Sequence, residues 1–138
     1  MTVEETLVLV KPDGVARNLS GEILRRIEAK GYQLVDIKRV DADRDLLAKH
    51  YAEHEGKPFF EPLIEFMESG PIIAMRVAGN RVIEGFRSLA GATDPTTAAP
   101  GTIRGDFGRD WGSKVQQNLV HGSDSVESAT RELGLWFD

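Results

Sequence analysis

Apolar and polar positions alternate between two periods along this chain. Thr6 to Val10 is a β-rich run that stops at Lys11-Pro12-Asp13-Gly14, where Pro and Asp-Gly end a strand and open a turn. Ser20 is placed to cap a helix with Ile23, Leu24 and Ile27 on one face, and Gly31 terminates it. Tyr32 to Val40 alternates as a second strand. Asp43 opens a helix to about His54, and Pro58 opens another to about Glu68. Beyond the Ser69-Gly70 break, Pro71 to Val77 reads as a buried strand and Asn80 to Leu89 as a helix. Gly91 to Gln117 has no sustained period and is too long for a passive connection, which points to function. A short strand, Asn118 to Val120, and a helix from Ser125 to Leu133 follow, with Asp124 and Glu127 spaced as a capping pair.

The order reduces to βαββαβ, the split βαβ plan. The expected fold is therefore α+β and ferredoxin-like: a four-stranded antiparallel sheet with helices packed on it, on one face, as a single domain of residues 1–138. No repeat or linker divides the chain. Its 138 residues are enough to bury a core without disulfides.

Composition narrows the chemistry. There is no cysteine, so thiolate nucleophiles and Cys-ligated zinc are excluded, and a reducing cytoplasm is the compartment expected. The start, Met1-Thr2-Val3-Glu4-Glu5, is acidic and has no secretory leader pattern. No apolar run approaches the roughly 18 residues of a membrane span. Acidic residues outnumber basic ones, 22 to 17, without a basic block. A dedicated nucleic-acid surface is not expected, because that binding rests on concentrated positive charge. Cations placed singly suit a compact anion.

The segment Asn118-Leu119-Val120-His121-Gly122-Ser123-Asp124-Ser125 is the most suggestive stretch. It delivers one histidine at a strand end among small residues, where a bulky anion can approach it. Taken alone, such a histidine could equally satisfy a turn. Neither a Gly-rich dinucleotide turn, nor a phosphate-binding P-loop, nor a Gly-x-Ser-x-Gly elbow is present. His50-Tyr51-Ala52-Glu53-His54 matches an inverted zincin pattern, but a five-residue match arises easily by chance and a solvated helix face is the simpler account.

Read whole, the chain resembles the nucleoside diphosphate kinases. The resemblance is carried by Lys11-Pro12-Asp13-Gly14-Val15, Gly56-Lys57-Pro58-Phe59-Phe60, Ser69-Gly70-Pro71, Gly91-Ala92-Thr93-Asp94-Pro95, Pro100 to Phe107, Asn118 to Ser125, and Gly134-Leu135-Trp136-Phe137, all in that family's order. It implies a ping-pong reaction. The γ-phosphoryl group of a nucleoside triphosphate, chiefly ATP, passes to a histidine and then to a nucleoside diphosphate. His121 matches the nucleophile, which would carry a pros-phosphohistidine, and Glu132 matches the carboxylate that orients it. A neutral imidazole suits the task, because with a pKa near roughly 6.5 it attacks phosphorus without first losing a proton. Ser125, Ser128 and Glu132 share a helical face by spacing, which lets Glu132 look back toward the His121 turn.

By the same resemblance Lys11, Arg87 and Arg104 meet the phosphates, with Mg²⁺ bridging phosphate oxygens rather than bound directly by the protein. Tyr51 and Thr93 supply hydroxyls to the phosphates, and Asn118 with Lys11 meets the ribose. Phe59 stacks on the base, and stacking tolerates any base, so broad base and sugar specificity is expected. A homo-oligomer built from dimers, hexameric or tetrameric, is implied as well, with the part around Pro95 supporting subunit packing.

Two features depart from the family pattern. Residues 108–117 between Phe107 and Asn118 exceed the usual length by about four, an insertion expected to be an exposed loop carrying Trp111. Lys57 stands where many members have Arg. The competing reading is a ferredoxin-like ligand-binding module without turnover, which gives His121, Lys11 and Arg104 no joint task.

Overall fold

The computed structural model describes residues 3–137; Met1, Thr2 and Asp138, which the expected domain includes, lie outside the described residues. Four strands form one antiparallel sheet: β1 (Glu4–Val10), β2 (Gln33–Val40), β3 (Ile72–Gly79) and β4 (Val120–Gly122), in spatial order β2-β3-β1-β4. The helices are α1 (Pro12–Ala16), α2 (Ser20–Ala29), α3 (Arg44–His50), α4 (Phe60–Glu68), α5 (Val82–Ala90), α6 (Ile103–Phe107) and α7 (Val126–Phe137). This is the ferredoxin-like α+β arrangement in a single domain.

One expectation is corrected: helices cover both faces of the sheet. Leu7 and Leu9 of β1 pack with Leu47, Ile64 and Trp136, so α3, α4 and α7 lie on their side. Val8 and Val10 point the other way, onto Ile23 and Ile27 of α2 and Phe86 of α5. Leu7 to Val10 are all fully buried, and burial on both faces explains why β1 reads as a continuous apolar run rather than an alternation. Each such side chain contributes about 1.5–3 kcal/mol by leaving water.

Element ends also differ from the sequence reading. Pro12 does not merely stop β1: it occupies the first turn of α1, where its missing N–H costs nothing. Asp43 caps α3 by accepting from the Leu46 amide at 2.8 Å, but α3 ends at His50 and residues Ala52–His54 form a separate 3-10 turn. The loop between Gly91 and Gln117 contains α6, capped by Thr102, whose hydroxyl accepts from the Gly105 amide. Ser125, not Asp124, caps α7, accepting from the Ser128 amide. No helix among the described residues is long and apolar enough to cross a membrane.

Candidate active site

A cleft of about 700 Å³ opens beside the junction of β1 and β4, bounded by the end of α3, the end of α5 and the loop after Gly91. His121, Glu132, Lys11 and Asn118 line it, as do Tyr51, Arg87, Thr93 and Arg104. Of the residues singled out from the sequence, Phe59 alone is not in its wall.

The floor depends on a strained turn. The apolar triplet Asn118–Val120 is not the strand itself: β4 begins at Val120, because Leu119 has φ +74°, a conformation costly for a branched side chain. Five hydrogen bonds hold it there. The Val120 amide donates to the Asn118 carbonyl at 2.8 Å, and the Lys11 amide donates to the Leu119 carbonyl at 2.8 Å. The buried Asp13 carboxylate accepts from the Leu119 amide at 3.1 Å. Arg104 donates from Nε to the Asn118 carbonyl (3.0 Å) and from Nη2 to the Val120 carbonyl (2.7 Å). Gly14 is needed here, because a Cβ would stand 2.8 Å from Val10 and 3.2 Å from the Leu119 carbonyl. Sequence reading missed Asp13; its place in Lys-Pro-Asp-Gly looked like turn chemistry.

Beyond the turn, β4 delivers His121, paired opposite Leu9. Gly122 follows because any Cβ would meet the Phe86 ring at 2.5 Å. His121 Nε2 lies 2.8 Å from Glu132 Oε1. The same oxygen accepts from Ser123 Oγ at 2.7 Å, and Ser123 Oγ accepts from the Leu7 amide at 3.2 Å. Glu132 and Ser123 are buried, so this chain is fixed by the core. It is Ser123, rather than Ser125 or Ser128, that shares Glu132. A carboxylate only accepts, so the imidazole proton sits on Nε2 and Nδ1 keeps its lone pair.

Lys11, Arg87 and Arg104 bring three positive charges to a wall that also holds the carboxyl groups of Glu53, Glu84, Asp124 and Glu132. Burial first, and then Arg104, bring the Lys11 ammonium down to about 8, opposed by Asp13. Burial and Arg87 bring Arg104 down to about 10. An arriving anion relieves both effects. Lys11 Nζ donates to Asn118 Oδ1 at 2.9 Å, and Asn118 Nδ2 donates to the Thr93 carbonyl at 3.0 Å, tying the loop after Gly91 to the floor. Arg104 spends three donors on the Asn118, Val120 and Gly91 carbonyls and retains further N–H groups. Tyr51 Oη is buried without a hydrogen-bond partner among the described residues, so its donor is free for a ligand. Burial, and then Glu132, push that phenol well above its usual range.

His50 is the residue the sequence undervalued. It is buried, and its ring meets His121 edge to face at 4.7 Å between centroids. Trp136 Nε1 donates to its Nδ1 at 3.1 Å. The signal was its position three residues after Leu47 on the apolar face of α3. His54 lies beyond the helix end, against Phe59 and Lys57, so the two histidines do not share the helical face that the zincin pattern needs. Phe59 is 46% exposed at the mouth, whereas Phe60 is in the core. The insertion, residues 108–117, has no helix or strand. Its Trp111 is exposed between the Arg17 and Arg109 guanidinium groups, 5.6 and 4.6 Å from the ring centroid.

The sequence model of the family described as nucleoside diphosphate kinase matches residues 4–138. The chain belongs to the nucleoside diphosphate kinase family. It is thereby a phosphotransferase whose substrates are nucleotides. A nucleoside diphosphate kinase of Mycolicibacterium paratuberculosis is 62% identical over 135 residues, covering 97% of this chain and 96% of the relative. One from Thermobifida fusca is 58% identical, covering 98% and 97%. Among solved structures, a halophilic nucleoside diphosphate kinase from Halobacterium salinarum in complex with CDP superposes with a TM-score of 0.93 at 48% identity, covering 99% of this chain and 89% of that one. The span matched to the nucleoside diphosphate kinase family includes every element that builds the cleft, from β1 to α7.

Proposed function

We propose that the chain moves the γ-phosphoryl group of a nucleoside triphosphate, chiefly ATP, to nucleoside diphosphates through a pros-phosphohistidine on His121. The observation that carries this reading is the tautomer: Nε2 is engaged by Glu132, leaving Nδ1 with its lone pair in the cleft that Lys11, Arg87 and Arg104 line. In the first half-reaction that lone pair forms a bond to the γ-phosphorus. The bond from phosphorus to the bridging oxygen breaks, and the nucleoside diphosphate leaves with the electron pair. Glu132 keeps the Nε2 proton in place and balances the positive charge that the ring gains. In the second half-reaction a terminal oxygen of another diphosphate attacks the same phosphorus and the P–N bond breaks.

Charge on the transferring oxygens is the main electrostatic demand of such a reaction. Lys11, Arg87 and the remaining donors of Arg104 meet it, with Tyr51 Oη and Thr93 as hydroxyl partners. Lys11 and Asn118, already hydrogen-bonded to each other, face the ribose. Mg²⁺ fits with phosphate oxygens and water as its ligands: Glu132 Oε1 and Asp13 Oδ2 already accept protein hydrogen bonds, and Glu84 in the wall is paired with Arg81. When bound, the ion supplies charge neutralisation across the phosphate oxygens. Phe59 at the mouth offers an aromatic face to any base. The CDP held by the Halobacterium salinarum relative supports a nucleotide in this cleft.

The β2 edge supports a homo-oligomer built from dimers, hexameric or tetrameric: it ends the sheet and exposes Val35 (48%) and Ile37 (45%), which an isolated subunit would leave as an unpaired apolar edge. The cysteine-free composition suits the cytoplasm, where this reading places the reaction.

Incubation with γ-labelled ATP and Mg²⁺ tests the reading. Acid-labile, base-stable label on the protein that is discharged by added GDP is the expected result. A protein that binds nucleotide and stays unlabelled is a binding module instead.

A further inference from the structure

The contact between Trp136 and His50 fixes a proton next to the proposed phosphoryl carrier. An indole N–H only donates. His50 Nδ1, 3.1 Å from Trp136 Nε1, therefore presents its lone pair, and the ring proton sits on Nε2. Burial, and then His121, Arg131, Lys11 and His54, hold this imidazole well below its usual pKa, in keeping with an uncharged ring. The tautomer also decides what the cluster is not. Potential ligand atoms of His50, His121 and Glu132 lie within 4.8 Å of one another. A protonated Nε2 has no lone pair for a metal, however, and Glu132 Oε1 already accepts from His121 and Ser123.

What remains is a neutral N–H donor. Its ring lines the cleft and packs edge to face on His121, and no protein group among the described residues takes its Nε2. One helix sets both histidines. Glu132 and Trp136 stand one turn apart on α7; the first accepts from His121 Nε2 and the second donates to His50 Nδ1. Arg131, on the same helix, donates to the Lys49 and His50 carbonyls at 3.0 and 3.4 Å, tying the end of α3 to it. The two rings are thus given opposite tasks, a free lone pair on His121 Nδ1 and a free proton on His50 Nε2.

We infer that His50 is a second catalytic histidine, whose Nε2–H donates a hydrogen bond to a non-bridging oxygen of the phosphoryl group as it reaches and rests on His121. No proton changes hands and no bond beyond those already described forms or breaks. The donor stabilises negative charge without adding another cation to a cleft that already crowds Lys11, Arg87 and Arg104. This inference rests on the reading of His121 as the carrier, and the test separates the two.

Two variants divide the roles of the ring. His50→Gln keeps an amide N–H near the Nε2 position and loses the acceptor for Trp136. His50→Asn keeps an acceptor near Nδ1 and loses the donor into the cleft. Label uptake from γ-labelled ATP by the unaltered protein is recorded first; its absence there overturns the carrier reading. Given uptake, His50→Asn is expected to slow the single-turnover rate about 100-fold, the scale of losing one oxyanion donor, and to shift the phosphohistidine ³¹P resonance. His50→Gln is expected to stay within about tenfold of the unaltered rate. The inference is overturned if His50→Asn is as fast as the unaltered protein, or if both variants slow alike with the ³¹P resonance unmoved. A measurement on the unaltered protein guards against misfolded variants: ¹⁵N spectra should show His50 protonated on Nε2 alone at pH 7, and a proton on Nδ1 contradicts the proposal.

Discussion

At the floor of the cleft, His121, Glu132, Ser123 and the Leu7 amide form one hydrogen-bonded chain anchored in the core. At its mouth Phe59 is 46% exposed, with the His54 ring 5.2 Å away between centroids and the Lys57 ammonium 5.8 Å from its centroid. The floor is over-determined: Leu119 is held in a left-handed turn by Asp13, Arg104 and the Lys11 backbone together. The mouth is held by little. The difference matches the chemistry proposed for each. Phosphoryl transfer needs reacting atoms placed to a fraction of an ångström, whereas stacking needs only an aromatic face. Rigidity is concentrated where the phosphates react, and tolerance where the base would lie.

Substitutions on either side sharpen the contrast. The largest effect belongs to His121→Ala, expected to lower phosphoryl transfer by about 10⁴ or more, roughly 5 kcal/mol of barrier; near-normal turnover in a coupled kinetic assay would remove the covalent route. Asp13→Ala leaves the Leu119 amide buried without an acceptor and should lower the unfolding free energy by about 2 kcal/mol. Denaturant unfolding with an unchanged midpoint would mean that the turn needs no such latch. Phe59→Ala should weaken purine and pyrimidine nucleotides alike, by about 1–2 kcal/mol in KM with kcat retained. Selective loss of one base contradicts stacking.

A smaller, graded effect comes from pH. Burial brings the Lys11 ammonium down to about 8, against 10.5 for a free side chain. The unfolded chain therefore binds more protons than the folded one between these values, so Lys11 makes stability rise with pH across that window. Nucleotide binding goes the opposite way, weakening several-fold as pH passes about 8 and the ammonium is lost. Titration of nucleotide affinity should lose this step in Lys11→Arg; a step that persists there belongs to another group. Smallest of all is Trp111→Ala in the insertion, expected to alter stability and turnover by no more than about 0.5 kcal/mol.

The sequence made the sheet legible because β1 and β3 are apolar enough to read as strands whatever covers them. It hid the second layer of helices, since an apolar run cannot say which of its faces is covered. It hid α1 and α6, five-residue helices too short to show a period, one of them begun by a proline that reads as a breaker. The shift of β4 from Asn118–Val120 to Val120–Gly122 has a similar cause. Local pattern favours strand at Leu119, and contacts from residues far along the chain override it. Motif resemblance drew attention to Lys11, Tyr51, Arg87, Thr93, Arg104, Asn118, His121 and Glu132, and the fold brings all of them to one cleft. Asp13, Ser123 and His50 went unassigned because their work lies in hydrogen bonds across the fold.

The central claim is that the His121 imidazole carries phosphorus between two nucleotides. Rapid-quench mass spectrometry of the protein mixed with ATP and Mg²⁺ tests it most directly. The account predicts a transient gain of about 80 Da, the mass of one phosphoryl group on a nucleophilic side chain, mapped to His121 and gone once a nucleoside diphosphate is added. Turnover that proceeds without that mass ever appearing there would contradict it.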